Sequence, residues 1–196
     1  MQISRFQVLA RTAEARLEGE NIVGRFGTSP RVITNEARLC ETFANYADTP
    51  AAIREFTRKY APLLNPAKPE TEFLFELSEW RTYHQIFRNN WRSIASADPE
   101  YDRGEKLFTF PPGSHLVFSK GGNALQFDRF GHLLTLALGG LEWERIRFCP
   151  APGCKRPFFV AAHLKQNYCG NDECVAWGDR KAKLSWWNQN RKGKIR

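Results

Sequence analysis

Acidic residues are almost missing from the last quarter of this 196-residue chain. From residue 145 onward twelve lysines and arginines face three acids, whereas the first 144 residues carry seventeen against eighteen. The formal charge of +8 is therefore confined to one end, the distribution that attracts polyanions. A long apolar run is also missing: Leu133 to Leu141 is about half of a membrane span, which excludes a helical membrane protein. Glycine and proline are dispersed, with 42% hydrophobic and 13% aromatic residues, so a folded chain is expected. Catalytic patterns are absent too. No Ser/His/Asp, Cys/His or cofactor-loop arrangement occurs, and Gly121-Gly122 lacks the Gly-Lys-Ser/Thr that would make it a phosphate loop. No catalytic residue is assigned and an enzyme is not expected. The opening Met1 to Phe6 has no charged segment followed by an apolar run, so a cytoplasmic protein with reduced thiols is the expectation.

Cysteine is scarce in the body, where Cys40 reads as a small buried hydrophobe, and concentrated at the end. Cys149 and Cys154 are separated by four residues, as are Cys169 and Cys174, with fourteen between the pairs. Two thiolate pairs of equal spacing suit one tetrahedral, structural Zn2+ ion, the metal such a set holds best. Disulfides, or four unrelated buried thiols, are the alternatives. Pro150, Pro152 and Gly153 suit a tight knuckle. Phe158-Phe159-Val160 is β-prone, and the second pair opens a helical segment whose positive end favours thiolates. Knuckle, hairpin and helix is a treble-clef-like order.

Upstream, Phe6 to Ala10 and Arg31 to Ile33 are candidate strands. Thr34 or Asn35 caps a helix carrying Leu39, Phe43 and Tyr46, and Thr49-Pro50 starts a second that ends before Pro62. Phe73, Leu77, Trp80, His84, Phe87, Trp91 and Ile94 draw one apolar stripe from Glu72 to Ser96, which predicts a single central helix. His84 lies on that stripe without a second ligand nearby, so a hydrogen-bonded core histidine is preferred to a metal or catalytic one. Leu107 to Phe110 and Leu116 to Phe118 face Ala124 to Phe127 across Lys120 to Asn123, predicting a hairpin. Residues 131–141 predict an apolar helix. The fold class expected is α+β: a mainly helical domain over 1–144 with a small hairpin near 107–127, then a four-cysteine zinc finger with a basic helical tail over 145–196.

That tail interleaves aromatic residues with cations. Helical spacing puts Trp177, Leu184 and Trp187 or Asn188 near one face, with Arg180, Lys183 and Arg191 on another. Lys165, Arg180, Lys181, Lys183, Arg191 and Lys192 are the candidate nucleic-acid contacts. The tryptophans either cover the small metal module, the preferred reading, or stack on bases.

The segment from Arg145 to Arg191 resembles the CGNR-type zinc-finger family, whose members join a largely helical ABATE-type domain to a C-terminal four-cysteine finger. The matching features are Arg147 ahead of the first cysteine, the equal gaps, Phe158 or Phe159, Tyr168 before Cys169, and the basic tail. Where the family has Gly-Asn-Arg after its fourth cysteine, this chain has Val175 to Arg180. The resemblance implies a bacterial transcription regulator whose finger binds DNA, expected to be double-stranded, with the N-terminal domain sensing a ligand or forming a homodimer. A zinc-stabilised protein-interaction module without nucleic-acid binding is the alternative.

Overall fold

A computed structural model describes residues 5–9, 11–68, 70–96, 114–117 and 124–191. Four strands come first: β1 (Arg5–Val8), β2 (Thr12–Glu18), β3 (Asn21–Phe26) and β4 (Arg31–Ile33). They are followed by α1 (Glu36–Ala44), α2 (Pro50–Lys59), β5 (Glu72–Glu76), α3 (Leu77–Ser96), β6 (Ser114–Val117), β7 (Ala124–Phe127) and α4 (Phe130–Gly140). The last elements are β8 (Ile146–Phe148), β9 (Phe158–Val160) and α5 (Asp172–Arg191). The caps are where the sequence puts them: the Asn35 side chain accepts from the Arg38 backbone N–H at 2.8 Å, and Thr49 accepts from Ala52 at 3.3 Å.

Three sheets form, in the orders β4-β1-β7-β6, β2-β3-β5 and β8-β9, and only β1 and β7 pair in parallel among the described strands. The body is therefore mixed α and β, with far more sheet than the mainly helical domain that the sequence predicts. The single helix predicted from Glu72 is corrected too. Its first five residues are β5, with Phe73 and Phe75 buried and Glu72, Leu74 and Glu76 outward. Phe73 satisfies both a step of four to Leu77 and a step of two to Phe75, and pairing of Phe75 with Ile22 and of Leu74 with Val23 decides between them. For the predicted hairpin, β6 and β7 do pair, with Leu116 opposite Leu125. Its proposed outer strand at 107–110 and its turn at 120–123 lie outside the described residues.

The core is built on aromatic rings. Phe43 on α1 lies 5.2 Å from Phe56 on α2, and 5.5 and 5.0 Å from Trp80 and Phe87 on α3. Tilted and edge-to-face pairs of this kind add to plain area burial. His84 is wholly buried against this cluster, its Nε2 2.7 Å from the Phe43 carbonyl and its Nδ1 bonded to Asp48. Arg88 closes the C-terminal end of α1 by donating to the Ala44 and Tyr46 carbonyls at 2.8 Å and to Asp48 at 2.9 Å. The core-histidine reading of His84 holds. Burial first, and Arg88 second, push its imidazole below the ordinary range, against the opposing pull of Asp48 and the Phe43 carbonyl.

The β8–β9 ribbon is fixed to this body rather than tethered to it. Ile146 and Phe158 belong to the main core, and Trp91 on α3 meets Phe158 edge-on at 6.0 Å while donating to the Arg147 carbonyl at 2.9 Å. At the C-terminal cap of α1, the Asn45 side chain both accepts from the Phe158 N–H at 3.2 Å and donates to its carbonyl at 2.7 Å; Glu41, within α1, accepts from the Val160 N–H at 2.6 Å. No helix among the described residues is long and apolar enough to cross a membrane.

Candidate metal centre

β8 and β9 form the base of the site, paired antiparallel with Arg147 opposite Phe159. Alternation along β9 sends Phe158 into the body and Phe159 the other way, among Cys149, Ala151, Ala161 and Cys174. The first knuckle starts where the Cys149 N–H donates to the Pro157 carbonyl at 2.7 Å. It turns through Gly153, at φ 71°, and Gly170 does the same for the second pair at φ 82°; both are conformations that suit glycine. The loop leading to Cys169 is organised by Gln166, which accepts from the Ala162 N–H at 2.7 Å and donates to the Tyr168 carbonyl at 2.8 Å.

Asn171 caps α5, accepting from the Glu173 N–H at 3.0 Å, so Cys174 sits in the first helical turn, at the positive end of the helix. One turn on, Gly178 lets the helix close on the Tyr168 ring: a Cβ there would lie 2.3 Å from a ring carbon. Tyr168 also meets Trp177 edge-on at 6.1 Å. This is why a glycine stands inside a helix, where it otherwise costs about 1 kcal/mol.

The four sulfurs lie within 4.8 Å of one another, with Cys154 and Cys169 3.5 Å apart. All five cysteines are unbridged, which sets the disulfide alternative aside. Four thiolates around one zinc at about 2.3 Å stand roughly 3.8 Å apart, so the donor set fits a single tetrahedral ion. Electrostatics points the same way. At Cys149 burial acts upward but is outweighed by backbone N–H groups of Ala151 and Cys169 and by neighbouring thiols, leaving it below the ordinary thiol range. Cys154 and Cys174 are pushed upward, by burial first. Ionising all four together needs a cation between them. The cluster can hold one metal ion, and its donor set is consistent with zinc.

The predicted polyanion contacts fall into two groups. Arg180, Lys181, Lys183 and Arg191 are all exposed on α5, whereas Lys165 belongs to the loop before Cys169; Lys192 lies outside the described residues. Arg180, Lys183 and Arg191 share an outward stripe with Trp187, over whose ring the Arg191 guanidinium sits at 5.6 Å. Lys181 points elsewhere, its ammonium 5.2 Å from the Trp177 ring. The expectation that the tryptophans cover the module is met at Trp177, which is half-buried, and fails at Trp186 and Trp187, which are 58% and 54% exposed.

Two cations were missed by sequence reasoning. Lys155 and Arg156 line an open cleft of about 950 Å³ together with Arg180, Trp177 and the partly exposed Cys154 and Cys169; Glu41, Asp172 and Glu173 also line it. The available signal was their adjacency to Cys154, which any chain folded around a metal brings next to the helix bearing the fourth ligand. No family model, no curated protein and no solved structure matches the chain.

Proposed function

We propose that this chain is a zinc-dependent nucleic-acid-binding protein of the cytoplasm, acting as a DNA-binding transcription regulator whose N-terminal body senses a ligand or dimerises. The regulator role and DNA as target rest on the resemblance to CGNR-type fingers; the knuckle, hairpin and helix order supports a treble-clef-like module. The observation that carries the binding itself is the continuous outward stripe of Arg180, Lys183 and Arg191 on a helix anchored at its start by the cysteine cluster. Zinc is structural in this reading, because four thiolates fill a tetrahedral set and leave no open position for substrate. A phosphate chain neutralised by these cations releases counterions, so affinity falls steeply with salt. Binding of labelled DNA, offered as duplex and as single strand, is measured across a salt series. A steep logarithmic slope is expected; no binding, or a flat slope, overturns the proposal.

One observation favours a second reading. Leu184, Trp186 and Trp187 are 63%, 58% and 54% exposed, as a protein-docking surface would be. Reversing the charge at Arg180 and Lys183 separates the two: nucleic-acid binding is abolished under the first, and partner capture survives under the second.

A further inference from the structure

We infer that the nucleic acid held by α5 is single-stranded, its unpaired bases stacking on Trp187 and Trp186 while Arg180, Lys183 and Arg191 meet its phosphates. This rests on the nucleic-acid reading above and replaces the duplex that the family resemblance implies.

The inference starts from what α5 leaves uncovered. Its packed side runs through Cys174 and Gly178, and the same face continues as Lys181 and Ser185, so the apolar seam ends after two turns. Every residue from Asp179 to Arg191 is exposed. At 1.5 Å per residue this is a rod of about 20 Å standing clear of the module. Phosphate contact alone requires only cations. Two adjacent indoles in water are a different feature: their planes stand at 85° with centroids 5.5 Å apart, so they meet edge to face rather than stacked, and both side chains remain more than half exposed.

The chemistry of the occupant follows from charge. Arg180, Lys181 and Lys183 at one end of this rod and Arg191 at the other, against Asp179 alone, leave it net positive, which opposes apolar pairing of two α5 helices. An anionic occupant that also offers flat apolar faces meets both requirements. In a duplex those faces are covered by neighbouring base pairs and only edges and backbone remain outside. An unpaired strand presents each base for stacking, worth about 1–3 kcal/mol per base, and its phosphates to the interleaved cations. Arg191 over Trp187 extends the platform, since guanidinium planes stack on bases as well. At the foot of the rod the cleft bearing Lys155, Arg156 and Trp177 continues the track.

The test uses the full metal-bound chain, a labelled oligothymidylate, and the same strand annealed to oligoadenylate, followed by fluorescence anisotropy. The single strand is expected to bind at least about tenfold more tightly than the duplex. Trp187→Ala should lose about tenfold on the single strand and little on the duplex, with Trp187→Phe restoring most of it. Because both indoles stand in solvent, metal content and circular dichroism of the variants should match the parent. Duplex binding as tight as single-strand binding, or Trp187→Ala without effect on the single strand, overturns this inference and leaves the nucleic-acid reading standing. If neither oligonucleotide binds, the nucleic-acid reading falls and takes the inference with it. Binding instead to vesicles of phosphatidylserine and phosphatidylcholine, lost in Trp187→Ala, would reassign the rod to an anionic membrane surface and overturn both.

Discussion

The two longest helices, α3 and α5, have 20 residues each and both carry tryptophans, yet one is the axis of the core and the other stands in water. On α3 the apolar stripe is unbroken from Leu77 to Trp91, and Trp80 and Trp91 are 1% and 0% exposed. On α5 it is broken after Gly178, where lysine and serine take the face that cysteine and glycine began. Aromatic content does not decide burial. Continuity of the stripe does, because each further turn must offer the same face to the same neighbour. What holds α5 is concentrated in its first two turns, in Cys174, Trp177 and Gly178, and the cluster they join has only five buried residues among those described, two of them cysteines. So small a core needs a metal to close it.

Stripping the metal should separate the two helices most sharply. After chelation, amide exchange is expected to accelerate throughout α5 and the knuckles while α3 keeps its protection; equal acceleration in both would mean that the module and the core stand or fall together. Acid should act in the same direction as chelation, because metal binding requires the thiolates that protons remove.

Next in size is truncation of a tryptophan on each helix. Trp91→Ala removes a buried indole and its bond to the Arg147 carbonyl, so a loss of about 3–5 kcal/mol in denaturant unfolding is expected. Trp187→Ala, on the exposed rod, should stay within about 0.5 kcal/mol of the parent. Similar losses at the two positions would show that α5 has a partner surface in the folded chain.

Gly178→Ala sharpens the boundary between the held and free parts of α5. Helix propensity favours alanine by about 1 kcal/mol, but the added Cβ meets the Tyr168 ring, so a net loss of about 1–3 kcal/mol and weaker metal retention are expected. Competition with a chromophoric chelator would read the second effect. A stabilised variant would mean that Tyr168 swings away at little cost.

The smallest effect belongs to α3. His84 has its pKa lowered in the folded state, so the unfolded chain binds the proton more readily. Its contribution to stability is fully present above about pH 6.5 and is lost as pH falls through the folded value. A His84→Gln variant should flatten that part of a stability profile measured by chemical denaturation. An unchanged slope would assign it to other groups.

Much of this was legible in the residues. Caps at Asn35 and Thr49, the apolar α4, the Phe158 strand and the cysteine pairs are all local signals, set by neighbours a few positions away. β5 was not, because Phe73 and Leu77 fit a helix as well as Phe73 and Phe75 fit a strand, and only pairing with β3 decides. The β1–β7 contact joins residues more than a hundred positions apart, and no local pattern announces it. At the metal centre the ligands were visible at once, while Lys155 and Arg156 became candidates only when the fold set them beside Arg180. The tryptophans of α5 marked an apolar face but could not say what, if anything, covers it.

The grip of Asn45 and Glu41 on β9 has a consequence for solubility. A two-stranded ribbon normally leaves a row of unpaired N–H and carbonyl groups along its outer rim, an invitation to strands of other molecules. Here the Phe158 N–H and carbonyl and the Val160 N–H are already taken by the side chains of Asn45 and Glu41. A chain that carries its metal on so short a ribbon thereby denies aggregation a template at the place where it would otherwise begin.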